Sequence, residues 1–403
     1  MAAPAVAAPT QMEEDATYLA LCTRLREINA LSSISGLLGW DEQVMMPKEA
    51  AELRATQGST LAGAVFEKET AAELGEILAK LVEKPPTEQW KAANVREAAR
   101  NYKRKTALSK DLAQREARLS SDGYQAWARA RASNNFPSFA PVLESWLELT
   151  REKCAAINGA APPYDVALES FEKGLTSARL DEVFAELRAG LVPLLADVRA
   201  RGTPPDDSWL GGDFDVGAQT ALCRSLALEM GFDLARGRLD VSLHPFTGGA
   251  GPSDVRMTTR YKAHDLIEGL TGTIHETGHA LYEQGRPGGD ADGLPVSEAL
   301  SSALQGFCWV FFLLSCPCSL RFVTHATAPA SVGAHESQSL LWERCVGLSR
   351  PFAAFLLPRL RAAFPQLPPD KTADDLYAAL NKVSSSPLIR IESDELSYAL
   401  HSA

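Results

Sequence analysis

Two histidines four residues apart, with a glutamate directly after the first, stand in the stretch TGTIHETGHALYEQG at residues 271–285. If this stretch is helical, His275 and His279 stand one turn above each other and their rings can point at a common atom. Zinc accepts such nitrogens at about 2.0–2.1 Å in a tetrahedral site, and a catalytic site keeps one position for water. Glu276 then lies roughly 100° round the helix from His275, near a metal without having to ligate it, where it can take a proton from water. Gly278 and Ala280 are small and let another element approach the metal side closely. A five-residue pattern of this kind also arises by chance, but this one lies on an amphipathic stretch in a chain with seven histidines.

Two histidines and a water leave one ligand to find. Glu298, in PVSEALS, follows His279 by 19 residues, close to the spacing at which thermolysin-like zinc peptidases supply theirs. Glu336, in AHESQSLLWE, follows by 57 and opens another helical pattern. Spacing alone favours Glu298 and leaves Glu336 open.

The elements that must position these residues are mostly helices. Leu266, Ile267, Leu270, Ile274, Gly278 and Leu281 recur at helical spacing, with Gly285 as a C-terminal stop. Just before them, RLDVSLHPF and DVRMTTRY read as short β runs separated by the glycine-rich turn TGGAGPS, a small antiparallel hairpin beside the histidine helix. From about residue 15 to 235, segments such as YLALCTRLREINAL and LDEVFAELRAGLVPLLADVRA fit helices with one buried face. Breaks fall at EKPPTEQ, NGAAPPYD and RGTPPDDSWLGGDFD. The expectation is a mainly α protein: residues 1–14 a disordered extension, 15–403 one large helical domain.

Of 403 residues, 45% are hydrophobic, enough for a sizeable core. The net charge of −11 argues against a nucleic-acid or anionic-membrane partner. Seven thinly spread cysteines argue against a disulfide framework, and the first fifteen residues carry neither a secretory nor an organellar signal, so a cytoplasmic protein is expected. The longest apolar run, FCWVFFLLSCPC at 307–318, is shorter than the roughly 20 residues that cross a bilayer and is broken by Pro317.

Six stretches, INALSSISGLLGWDEQVMMP, HPF, DVRMTTR, HETGHALYEQG, HESQSLLWE and IRIESDEL, occur in that order along nearly the whole chain. Together they resemble the carboxypeptidase Taq family of zinc metallocarboxypeptidases. The resemblance implies a large helical, zincin-like fold with a deep groove, usually as a homodimer. It implies a Zn²⁺ cofactor, which Co²⁺ or Mn²⁺ could replace. It also implies removal of C-terminal amino acids from peptides with broad specificity. It makes His275, His279 and Glu336 the metal ligands and Glu276 the general base that accepts the water proton and passes it to the leaving amine. Glu298 then becomes a supporting residue.

A free carboxylate is best gripped by a planar arginine fork. On the resemblance, Arg390 is the first candidate and Arg256 the second, with an Arg256–Asp254 structural pair as the alternative. His244 of HPF either hydrogen-bonds the tetrahedral intermediate or orients the hairpin. Trp40, Met45 and Met46 read as core packing.

The chain departs from the family in two places. Residues 302–332 look inserted between the second and third ligand elements, and their phenylalanine- and cysteine-rich composition points to translated noncoding sequence rather than a built loop. Cys316, Cys318 and His325 there are too weakly patterned for a second zinc site. A late GxxQDxHW motif is absent before Ala403, so the C-terminal portion is expected to be missing. The competing readings are therefore an inactive fragment or isoform, or a zinc endo- or oligopeptidase using Glu298.

Overall fold

Tyr18, Leu21, Cys22, Leu25 and Ile28 recur three and four residues apart and are all buried, which makes one face of a long first helix, α1 (Gln11–Val44). The computed structural model describes residues 11–285 and 332–383. The helix begins at Gln11, inside the stretch expected to be an extension. Its buried face packs on Leu74, Leu78 and Leu81 of α3 (Ala72–Glu83) and on Val95 and Ala98 of α4 (Gln89–Thr106). Between them runs α2 (Ala51–Glu69), which lies along α5 (Lys110–Ala132).

Helices α6 (Ala140–Asn158), α7 (Pro163–Leu168), α8 (Ser177–Arg201) and α9 (Val216–Glu229) follow. The proline- and glycine-rich stretches named above fall at the junctions. Side chains at the starts satisfy amides that have no partner inside the helix: Ser109 accepts from Leu112 N, Thr176 from Arg179 N and Asp215 from Ala218 N. The apolar stripe of α8 departs from expectation. None of that helix is buried among the described residues, and Val192 and Leu194 are exposed. Met45 is also exposed, because α1 ends at Val44 and the chain turns away there.

The β region differs from the expected hairpin. Three strands, β1 (Gly237–Val241), β2 (Phe246–Gly251) and β3 (Asp254–Thr259), form a sheet in the order β1-β3-β2. The hairpin is β2 against β3, and β1 adds to the far side of β3 in parallel. The glycine-rich segment read as a turn is thus a strand, and the turn is only the residues between Gly251 and Asp254. Gly249 explains the misreading: it sits at φ 133°, and a Cβ there would come within 2.0 Å of the Asp254 carbonyl oxygen, so only glycine lets the bulged strand lie this close. Between β1 and β2, residues 242–245 arch over the end of β3, where Ser242 N donates to Thr259 O.

The arch leads through β3 into α10 (Leu266–Gly285), capped by Asp265, whose carboxylate accepts from the amides of Ile267 and Glu268. Leu266, Leu270 and Ile274 enter the main core with Leu222 and Leu226 of α9 and with Phe352, Leu356 and Leu360 of α12 (Arg350–Ala363). Ala280 and the sheet residues Val255 and Met257 form a second cluster. Helix α11 (Val332–Leu340) crosses α10 and runs into a π-helical turn (Leu341–Val346); α13 (Ala373–Leu380) closes the described chain with a Thr372–Asp375 capping box. Among the described residues no helix is long and apolar enough to cross a membrane. Glu298, Arg390 and all of the expected insertion at 302–332 except Val332, which opens α11, lie outside the described residues.

Candidate metal centre

The site is assembled by two helices that touch through a glycine. A Cβ on Gly278 would come 2.7 Å from the Gln338 carbonyl oxygen and 2.7 Å from Ser339 Cα, closer than side chains normally approach backbone. Glycine at this one position lets α11 lie against the histidine face of α10. The consequence is that Glu336 meets the two histidines: one ligand-capable atom from each of His275, His279 and Glu336 lies within 4.8 Å of the others. His279 Nε2 is 3.4 Å from Glu336 Oε2. A tetrahedral zinc with bonds of about 2.0–2.1 Å separates its ligand atoms by roughly 3.3 Å. Two imidazoles and a carboxylate are also a donor type that zinc takes up, so the residues fit such an ion in number and chemistry, and the His279–Glu336 pair fits it in spacing.

The ligand-bearing side chains are held from behind. Nδ1 of His275 lies 2.7 Å from a carboxylate oxygen of Glu343, in the π-helical turn two helical turns beyond Glu336. Since a carboxylate accepts, Nδ1 carries the proton and Nε2 is left for a metal, the arrangement that orients metal-binding histidines generally. Sequence reasoning missed Glu343. Its seven-residue offset from Glu336, which keeps both on one helix face, was the available signal. His335 was missed too: its ring stacks on that of His279 at 4.1 Å.

One oxygen of the Glu276 carboxylate reaches the sheet, while the side chain stays within electrostatic range of His275, His279 and Glu336. Glu276 is 2% exposed, and the Thr247 hydroxyl of β2 donates to its Oε2 at 2.7 Å. Burial pushes its carboxyl above the usual carboxylate range, although His275, His279 and Thr247 all pull the other way. A carboxylate raised in this manner and pinned by one hydroxyl is suited to picking up a proton.

His244 sits in the arch at residues 242–245, 5% exposed. Burial, with the charges of Arg260, Arg131 and His275 around it, pushes its pKa down to about 3, so the ring is neutral at physiological pH. Among the described residues, the contacts of Arg256 do not aim it at the histidines. Its guanidinium donates to both carboxylate oxygens of Asp254 and lies over the Trp40 ring at 4.5 Å. The alternation of β3 places it on the sheet face opposite Met257, which packs with α10. The structural pair weighed for Asp254 and Arg256 is therefore present.

A largely helical chain carrying two histidines and a glutamate on crossing helices, with a buried glutamate between the histidines, has the architecture of a helical metallopeptidase. The chain matches the profile of the Carboxypeptidase Taq (M32) metallopeptidase family over residues 20–403, and it belongs to that family. It is 36% identical to thermostable carboxypeptidase 1 of Thermus thermophilus, over 97% of this chain and 72% of that protein. It is 32% identical to carboxypeptidase 1 of Bacillus subtilis, over 94% of this chain and 69% of the relative. The crystal structure of the M32 carboxypeptidase from Deinococcus radiodurans superposes with a TM-score of 0.77 at 33% identity, covering 96% of this chain and 71% of that one.

Proposed function

We propose that this chain is a zinc-dependent carboxypeptidase that releases C-terminal amino acids from peptides with broad specificity. The observation that carries the reading is the convergence of His275, His279 and Glu336 within 4.8 Å beside the buried Glu276, in a chain of this family. Those three residues would hold the ion, and Co²⁺ or Mn²⁺ suits the same donors. When bound, zinc supplies Lewis acidity that polarises a peptide carbonyl and acidifies water.

The remaining chemistry belongs to the chain. Glu276, with one oxygen fixed by Thr247, accepts the proton of the attacking water on its other oxygen and returns it to the leaving amine. The hydroxyl contact keeps the carboxylate from swinging, which is the positioning that a proton shuttle needs. His244 is neutral. From the arch it either donates to the oxygen that gains charge or holds the sheet end in place, and its burial favours the second role. Arg390 is the first candidate to grip the substrate's free carboxylate. Arg256, with its fork already engaged by Asp254, is the weaker one. A homodimer in the cytoplasm belongs to the same reading.

The test uses peptide pairs that differ only in a free or amidated C-terminus, with protein that is zinc-loaded, chelator-stripped and zinc-restored. Stepwise loss of single C-terminal residues from the free peptide alone, abolished by stripping and recovered on restoration, is the expected result. Cleavage of both peptides at internal bonds would make it an endopeptidase. Zinc bound at one per chain with no cleavage of either would make it a noncatalytic form.

A further inference from the structure

A third imidazole is built into the site beside the ligands. His335 directly precedes Glu336 on α11 and is 3% exposed. Its ring lies nearly flat on that of His279, with centroids 4.1 Å apart and planes 20° from parallel. Tyr282 meets it edge-on at 5.4 Å, and a carboxylate oxygen of Glu283 lies 3.5 Å from its Nε2. Tyr282 and Glu283 stand on the turn of α10 that follows His279. His335 is thus wedged between two successive turns of the ligand-bearing helix, from the helix that brings the third ligand.

We propose that His335, steadied by Glu283, is a positioning residue that fixes the ring plane of His279 for the metal. The inference rests on the metal-binding reading above. An imidazole turns about its Cβ–Cγ bond on a broad, two-fold profile, so the backbone of α10 does not by itself decide where the His279 nitrogens point. His275 has Glu343 to set its orientation, through a hydrogen bond to Nδ1. For His279, a flat ring at van der Waals distance excludes the orientations in which the imidazole would lie across it. Because His335 and Glu336 are neighbours in sequence, the element that sets the ring plane also delivers the carboxylate. The two ligands are therefore positioned by one crossing of α10 and α11. Tight metal sites depend on such support around the ligands.

The experiment compares the full chain with His335→Ala, His335→Phe and Glu283→Gln. Zinc affinity is measured by competition with a chromophoric chelator, and the geometry of the site by the visible absorption of the Co²⁺-loaded protein. Circular dichroism checks the fold. His335→Ala should bind zinc about 10–100-fold more weakly and shift the cobalt bands. His335→Phe, which keeps a flat ring but cannot meet Glu283, should recover most of that loss, and Glu283→Gln should fall between Ala and wild type. Wild-type zinc affinity and cobalt bands in a folded His335→Ala protein overturn the proposal. So does a His335→Phe protein that binds no better than His335→Ala. If the alanine variant does not fold, the phenylalanine variant decides alone: near-wild-type affinity supports the role and a tenfold loss overturns it. A wild-type chain that takes up neither zinc nor cobalt sinks the metal reading itself, which these variants cannot be confused with.

Discussion

Glu343 and His275 are 68 residues apart in sequence and 2.7 Å apart in space, carboxylate oxygen to Nδ1. The contact is made from a π-helical turn, a rare form that recurs at functional sites. Glu343 touches the ring on the side away from Nε2, so removing its charge leaves the ligands in place and loosens only their orientation. Glu343→Gln is expected to weaken zinc binding by about 10–100-fold with the helical content unchanged. Chelator competition and circular dichroism on the same samples check both halves.

On the proposed reading Glu276 is the general base and not a metal ligand. Glu276→Gln keeps the hydrogen bond from Thr247 and the shape of the side chain but cannot accept a proton. It should retain one zinc per chain while kcat falls by roughly 10²–10⁴. Hydrolysis at the wild-type rate by this variant would refute the general-base assignment.

The glycine at the helix crossing gives a stability prediction with two opposing terms. Alanine is better than glycine in a helix by about 1 kcal/mol. Against that, its methyl at position 278 would sit 2.7 Å from backbone atoms of Gln338 and Ser339, and overpacking of this kind costs about 1–3 kcal/mol. Gly278→Ala should therefore lower the melting temperature and, by pushing α11 outward, weaken zinc binding. A rise in both would mean the crossing is looser than the distances state.

Two glutamates competed for the third ligand position, and they give opposite expectations. Glu336→Gln should lose zinc stoichiometrically, because it removes one of three donors within 4.8 Å. Glu298→Gln should keep zinc at one per chain. Metal analysis after gel filtration separates the two, and the reverse pattern would reassign the ligand.

His244 predicts an acid sensitivity. Its folded pKa is pushed down to about 3, whereas an unfolded imidazole titrates near its model value of 6.5. Between those values the unfolded chain binds a proton that the folded chain does not, so stability is complete above pH 6.5 and falls as the pH drops towards 3. One such group contributes a slope of up to about 1.4 kcal/mol per pH unit. Urea unfolding of chelator-treated protein at pH 6.5, 5.5 and 4.5 should show a shallower fall in His244→Gln than in wild type.

Much of the site was legible because its signals are local. The four-residue spacing of His275 and His279 and the helical recurrence of Leu266, Leu270 and Ile274 both follow from helix geometry, and both are seen. Periodicity could not choose between Glu298 and Glu336, since that choice depends on which segment crosses α10. The resemblance to the family made the choice, and the close approach at Gly278 is its physical counterpart. The sheet was misread for a related reason. Residues 247–251 have the composition of a turn, and only the pairing with β3 makes them part of a strand. Glu343 offers only its seven-residue offset from Glu336, and His335 carries no pattern of its own until α10 and α11 are brought together.

Trp40 joins the first helix to the three-stranded sheet in an unusual manner. Guanidinium carbons of Arg238 and Arg256, register partners on β1 and β3, lie 4.7 and 4.5 Å from its ring centre, and each arginine is neutralised by an aspartate on its own strand. Two cations side by side on one indole are held by ion pairing and by attraction to the ring. A solution of guanidinium chloride supplies a rival for the indole face and enough salt to screen the aspartates, whereas urea supplies neither. This joint should consequently come apart earlier in the ionic denaturant than its burial alone would dictate, with Trp40 fluorescence reporting the separation before the helices melt.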